Sequence, residues 1–278
     1  MKIKKFCKVT LALVVAVSTM ASVVCEASNL DTYRNLLVRK TYTIKYQEIT
    51  PQARATNKDR INLYGKNSMD TSTSDIFVNK PAQSILVCDG DDKYEEIGVG
   101  SNYLASIGMK DMATCRLQKG KEVFNFTRYY DKDKLVYRGA KKGSVSAVNY
   151  NFLATLTQGD SFGTANMTRL LNAMLPDSRK PAGMPSFRFV GSGWLNNGLN
   201  YEDYRSDHNG MFEAVRYYFN GYTLVKIASA TYYTNAKGEL DGTRCIIKID
   251  EFSPTPDKKY LSLPAGLKDT TKRKSEDK

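Results

Sequence analysis

The sequence predicts a mainly β fold of the α+β kind: a single antiparallel curved sheet or half-barrel with a few covering helices. Three observations predict it. Asp89-Gly90, Asn209-Gly210 and Asn220-Gly221 punctuate aromatic and β-branched runs, and Asx-Gly pairs supply the positive backbone angles of tight hairpin reversals. The flanking runs alternate apolar with polar residues, the period of a half-buried strand. Apolar residues recur at helical spacing in only two stretches, one near residue 30 and one after Gly163. The 278 residues are 41% hydrophobic and 25% charged, the balance of an ordinary soluble globular protein large enough to build one core without cross-links.

Residues 1–27 read as a signal peptide. Lys2, Lys4, Lys5 and Lys8 precede an apolar run from Val9 to Val24, softened by Thr10, Ser18, Thr19 and Ser22, and small Ala27 offers a cleavage site before Ser28. A lasting membrane span takes about 20 predominantly apolar residues. The lysine-rich start points to a bacterium, so the expected location is the periplasm or cell envelope. Cys25 raises the alternative of a lipoprotein signal, for which Val24 is a poor preceding residue.

Along the mature chain, Asn29 is a plausible N-cap for a helix over about 30–38, where Leu30, Tyr33, Leu36 and Leu37 share a face. Tyr42, Ile44 and Tyr46 then alternate as a strand. Residues 50–59 with Pro51 form a loop, 61–63 open a further strand, and 67–75 are a polar connection. Ser84–Cys88 and Lys93–Val99 make a hairpin around Asp89-Gly90. Gly120–Tyr130 and Leu135–Arg138 make another around residues 131–134, with 145–152 as its extension. Met167, Leu170, Leu171 and Met174 fall at i, i+3, i+4 and i+7 before Pro176, the clearest helix in the sequence. Tyr201–Arg205, Met211–Phe219, Tyr222–Thr234 and Thr243–Phe252 form a meander, which Pro254 and Pro256 stop. Tyr260–Leu263 is expected as an edge strand and 268–278 as a disordered charged tail, leaving 28–267 as the folded domain.

The formal charge is +12; loss of residues 1–27 removes four lysines and Glu26, leaving +9. Such a chain is attracted to anionic membranes and cell-wall polymers without specifying a partner. Cys88, Cys115 and Cys245 remain after cleavage. Cys88 and Cys115 are the closest pair for an optional disulfide, while Cys245 alternates with Ile247 and Ile249 like a core strand residue.

One histidine in the whole chain leaves no His-cluster metal site. His208 beside a cysteine would make a nucleophile pair, but its place in a turn makes a polar turn residue the better account. The acidic residues Asp89, Asp91, Asp92, Glu95 and Glu96 lack EF-hand spacing and read as a solvated hairpin tip. Gly191, Gly193 and Gly198 around Trp194 match no phosphate-binding or nucleophile-elbow pattern and read as a loop. Arg128, Tyr129, Tyr130, Arg138, Arg216, Tyr217 and Tyr218 interleave basic and aromatic residues, the ingredients of polyanion or glycan binding as well as ordinary strand filling. No catalytic residue, metal or cofactor is expected. The stripe Met167, Leu170, Leu171, Met174 has two accounts: core packing against the sheet, or a removable cover over an apolar concavity, to which methionine suits variable ligands.

Ser84-Ile85-Leu86-Val87-Cys88-Asp89-Gly90-Asp91-Asp92-Lys93-Tyr94 is similar to the strand, Asp-Gly turn and aromatic restart of the LolA/LolB-like half-barrel lipoprotein-carrier family. The run from Tyr217 to Ile227, and that from Ile249 through Phe252 to Leu261-Ser262-Leu263-Pro264, resemble its closing strands. The resemblance implies an incomplete barrel whose apolar concave face, covered by helices, binds acyl chains or lipidated polypeptide in the envelope, without catalytic residues. The chain departs from that family in its length, its Lys/Arg-rich balance and the stretch 176–200. The expected function is therefore a non-enzymatic envelope protein that binds a lipid, acyl chain or lipoprotein through Met167, Leu170, Leu171 and Met174. The alternative is a basic surface protein that binds cell-wall polymer or another polyanion; no specific nucleic acid partner is expected.

Overall fold

The computed structural model describes residues 28–49, 83–98, 111–131, 133–144, 164–180, 182–208, 211–234 and 240–269. The expected features at 1–27, 50–59, 61–63, 67–75 and 145–152 lie outside them. The described chain runs α1 (Asn29–Arg39), β1 (Thr41–Ile49), β2 (Gln83–Asp89), β3 (Asp92–Gly98), β4 (Met112–Lys119), β5 (Glu122–Asp131), β6 (Lys134–Ser144) and α2 (Thr164–Met174). It continues as β7 (Arg188–Trp194), β8 (Asn200–His208), β9 (Met211–Asn220), β10 (Thr223–Thr234), β11 (Leu240–Ser253) and β12 (Lys268–Asp269).

These strands form one sheet in the order β12-β6-β5-β4-β3-β2-β1-β11-β10-β9-β8-β7. It is mainly β, antiparallel throughout β1–β11, and not closed into a barrel. Two meanders run outward from the centre, β1 to β6 one way and β11 to β7 the other. The long-range pairing of β1 with β11, Ile44 opposite Phe252 and Tyr46 opposite Ile249, joins them. Gly90 and Gly221, at φ +66° and +60°, provide the positive angles that the β2–β3 and β9–β10 reversals need.

Side-chain alternation gives the sheet two faces, and they are covered over different halves. On one face, Tyr42, Ile44 and Tyr46 of β1, Leu86 and Cys88 of β2, and apolar residues of β8–β11 pack under both helices. On the other, Ile85, Val87, Tyr94, Cys115, Leu117 and Phe126 pack under the C-terminal strap through Leu261 and Tyr260, whose ring stacks on Tyr94 with centroids 5.1 Å apart. Over β8–β11 that second face is closed by Leu195 against Ala214, Tyr218, Ala228 and Ile246. Strand β2 lies where helix roof and C-terminal strap overlap, which is why its Ser84–Cys88 core is buried at every position rather than alternately.

Helix α1 buries Leu30, Tyr33 and Leu37, a contribution of roughly 1.5–3 kcal/mol for each large apolar side chain. Its N-cap is Ser28, not Asn29: Ser28 Oγ accepts from Leu30 N at 3.1 Å. The sheet carboxylate of Glu202 takes the adjoining donors, Ser28 Oγ at 2.5 Å and Asn29 N at 2.7 Å. Lys40 leaves the helix in the left-handed conformation and turns the chain into β1.

Three expectations are corrected, and one strand had no expectation at all. Residues 112–119 form β4, and Arg188–Trp194, read as part of a loop, form edge strand β7. The expected strand at 260–263 is instead a 3-10 turn, Lys258–Leu261, because Pro254 and Pro256 direct the chain across the sheet face rather than along its edge, so that Leu261 plugs the β2–β5 core. The start of the expected tail, Lys268–Asp269, pairs in parallel with β6; residues 270–278 lie outside the described residues.

Candidate functional site

The roofed face carries a packed apolar cluster with a polar border. Met167, Leu170, Leu171 and Met174 come together on one side of α2, all at 0% exposure, in a single cluster with α1 and the sheet. Polar contacts add to that packing: Arg34 Nε donates to the Met174 carbonyl at 2.9 Å, and Arg169 pairs with Glu213 of β9 and donates to Ser229 Oγ of β10 at 3.1 Å.

From Arg169 a belt of polar side chains crosses the same face along one edge of the apolar cluster. The strand registers place Glu213 opposite Thr231, Ser229 opposite Cys245, Tyr46 opposite Ser84, and Glu95 opposite both Leu86 and Arg116. Cys245 Sγ lies 3.8 Å from Glu48 Oε1. Burial pushes the Cys245 thiol up, with Glu48 adding to the effect. Burial likewise raises the Tyr46 phenol, reinforced by the carboxylates of Glu95 and Glu48. Burial lowers the Arg169 guanidinium, against the pull of Cys245, Tyr217 and Glu48.

Glu95 is the exceptional member of this belt. It is 2% exposed, and its Oε1 has no hydrogen-bond partner. Burial raises its carboxyl to about 8 against the opposing charge of Arg116. A carboxyl oxygen carried out of water without a hydrogen-bond partner is costly, and native proteins hold such atoms rarely enough that each calls for a reason.

The other candidates are placed as follows. The acidic cluster is divided: Asp89, Asp91 and Asp92 flank the β2–β3 turn, whereas Glu95 and Glu96 are buried on opposite faces. Glu96 receives Arg128 at 2.8 Å, which also binds Asp111 at 2.8 Å, and Tyr94 Oη donates to it at 2.7 Å. Reading all five as a solvated tip therefore fails for these two, since the strap covers one face and the belt lies on the other. Among the described residues no group of three or more His, Cys, Asp or Glu is placed to hold a metal ion. The His208 side chain lies outside the described residues. Cys88, Cys115 and Cys245 are free and buried, and Cys88 and Cys115 belong to clusters on opposite faces, which removes the optional disulfide.

The basic-aromatic series also divides. Tyr129, Arg138 and Tyr217 lie on the roofed side, with the Arg138 guanidinium 5.2 Å from the Tyr129 ring centre; Arg128, Arg216 and Tyr218 lie on the other. Arg216, at 0% exposure, grips Asp203 through Nε and Nη2 at 2.6 and 2.7 Å, 4.0 Å from the Tyr201 ring centre. Trp194 is 60% exposed on β7. Gly193 fits beneath Tyr201, since a Cβ there would meet its hydroxyl at 2.9 Å.

Sequence reasoning missed Glu48, Arg169 and Glu213 and placed Glu95 wrongly. One signal was present: Glu95 and Glu96 are consecutive in a strand, so one must face each side of the sheet. No described helix is long and apolar enough to cross a membrane. Compared with protein-family models and with curated proteins, the chain matches none.

Proposed function

We propose that this protein is an exported, non-enzymatic envelope factor that binds a lipid, an acyl chain or a lipidated polypeptide on the sheet face beneath α2. One observation carries the reading: an apolar sheet face is roofed by a helix held through side-chain contacts, and a belt of polar groups borders it. That combination suits a ligand with an apolar body and a polar end. The stripe Met167, Leu170, Leu171, Met174 packs directly on the sheet face when α2 is seated, so ligand entry requires α2 to lift and the ligand chain to replace it. The expected signal peptide and the resemblance to LolA/LolB-like carriers favour the same reading by analogy.

Native mass spectrometry of the protein purified from cells, followed by displacement of a fluorescent fatty acid, tests it. Co-purified lipid or saturable displacement is the expected result, with weaker binding after Leu170→Asp and little response to salt. A protein that is empty and ignores the probe refutes it. Binding to cell-wall polymer that collapses as salt rises would instead favour the polyanion reading, for which the +9 charge of the mature chain speaks.

A further inference from the structure

We propose that the polar end of the ligand carries a cationic ammonium group beside a phosphate, with Glu95 receiving the ammonium and Arg116 the phosphate, so that the protein selects zwitterionic over anionic amphiphiles. The inference rests on the amphiphile reading above and deepens it. Glu95 faces the roofed side of β3, opposite Leu86 of the apolar cluster on one neighbour and Arg116 on the other. It therefore sits at the boundary where an apolar chain ends and a headgroup begins. At 2% exposure its Oε1 has no hydrogen-bond partner, which leaves an acceptor open to a donor from outside the chain.

The class of donor follows from charge and position. A fatty-acid carboxylate or a phosphate ester alone would meet the Glu95 carboxyl as a second acid. A hydroxyl would complete the hydrogen bond without adding a positive charge to that of Arg116. A primary ammonium does both. Arg116 is the register partner of Glu95 on β4, one strand spacing of about 4.8 Å away, and Lys93 lies two residues back on the same side of β3. An anionic group tethered within a few bonds of the ammonium thus meets cationic side chains, the arrangement of a phosphoethanolamine head.

The test uses the mature chain, stripped of lipid, with short-chain phosphatidylethanolamine, phosphatidylglycerol and soluble phosphoethanolamine as probes in competition with a fluorescent fatty acid. Wild type is expected to prefer phosphatidylethanolamine over phosphatidylglycerol by roughly tenfold or more, the size of a hydrogen bond to a charged group. Glu95→Gln is expected to abolish the preference while keeping phosphatidylglycerol affinity; a matching circular-dichroism spectrum verifies its fold. Equal wild-type binding of the two lipids, or an unchanged preference in Glu95→Gln, overturns this proposal and leaves the carrier reading standing. Phosphoethanolamine binding as tightly as the lipid overturns it too, since the apolar chain would then contribute nothing. If no amphiphile binds, the carrier reading fails and this one with it.

Discussion

Replacing Glu95 by Gln tests the buried carboxyl without any knowledge of the ligand. In the folded protein burial raises this group from 4.5 to about 8; unfolded, it returns to the ordinary carboxylate range. Below that range both states hold the proton and the group contributes no pH dependence. As pH climbs from about 4.5 towards 8 the unfolded chain releases its proton while the folded chain keeps it. Wild-type stability therefore falls by about 1.4 kcal/mol per pH unit, and the loss levels off above 8. Over the whole window this amounts to about 5 kcal/mol as an order of magnitude. Tyr46, Glu48, Lys93 and Arg116 are titratable or charged groups around the site. Being the same in both proteins, they largely cancel in the difference. Urea unfolding of lipid-free wild type and Glu95→Gln at pH 5, 6, 7 and 8 reads the effect directly. The variant is expected to gain on wild type steadily and to exceed it by several kcal/mol at pH 8. A difference that stays flat across the series would show that Glu95 is hydrated or paired, and would remove the basis of the headgroup assignment.

Leu170→Ala is expected to cost about 2–5 kcal/mol, the range for truncating a buried leucine, measured by urea unfolding; a loss below about 1 kcal/mol would mean that α2 is not part of the cooperative fold. Arg216→Met leaves Asp203 without its partner and is expected to cost about 3–5 kcal/mol, with a large part regained in the Asp203→Asn, Arg216→Met double variant because the stranded charge is gone. Cys88, Cys115 and Cys245 are free and buried, so a thiol reagent added to a chain lacking residues 1–27 should find none of the three in the native protein and all of them in denaturant; any fast-reacting native thiol contradicts their burial.

Local patterns made much of the sheet legible. The Asp89-Gly90 and Asn220-Gly221 reversals fall at the observed turns because positive φ is a property of one or two residues and needs no tertiary information. The helix containing Met167 and Met174 was legible for a similar reason, since its period survives in eleven residues. What escaped were elements whose form is set elsewhere. Strand β7, with Gly191 and Gly193, lacks the β-branched density of a strand and exists because β8 offers it a ladder and Tyr201 needs the space above Gly193. The segment 258–261 has an aromatic-apolar strand composition, but Tyr94 and the β2–β5 core claim Tyr260 and Leu261, and a 3-10 turn delivers both.

The candidate site was less legible than the fold, and the reason is physical. A buried carboxylate in sequence looks the same as an exposed one, and Glu95 stands near three aspartates that do flank a turn. Which face it lies on follows from pairings that no local window contains: β1 joined to β11 across two hundred residues brings α1 and α2 over one face of the sheet, while the C-terminal strap claims the other. With both sides of β2 buried and β3 its neighbour, two consecutive glutamates cannot both reach water. Glu96 meets Arg128 and Tyr94 on the strap side; Glu95, on the opposite side, stands beside Leu86 at the edge of the apolar cluster. An asymmetry of that kind, one carboxylate fully matched and its neighbour left with an open acceptor, is hard to assign to folding alone, because a glutamine or leucine at 95 would serve the sheet better. On the headgroup proposal, the acid at 95 is there to meet a donor from outside the chain.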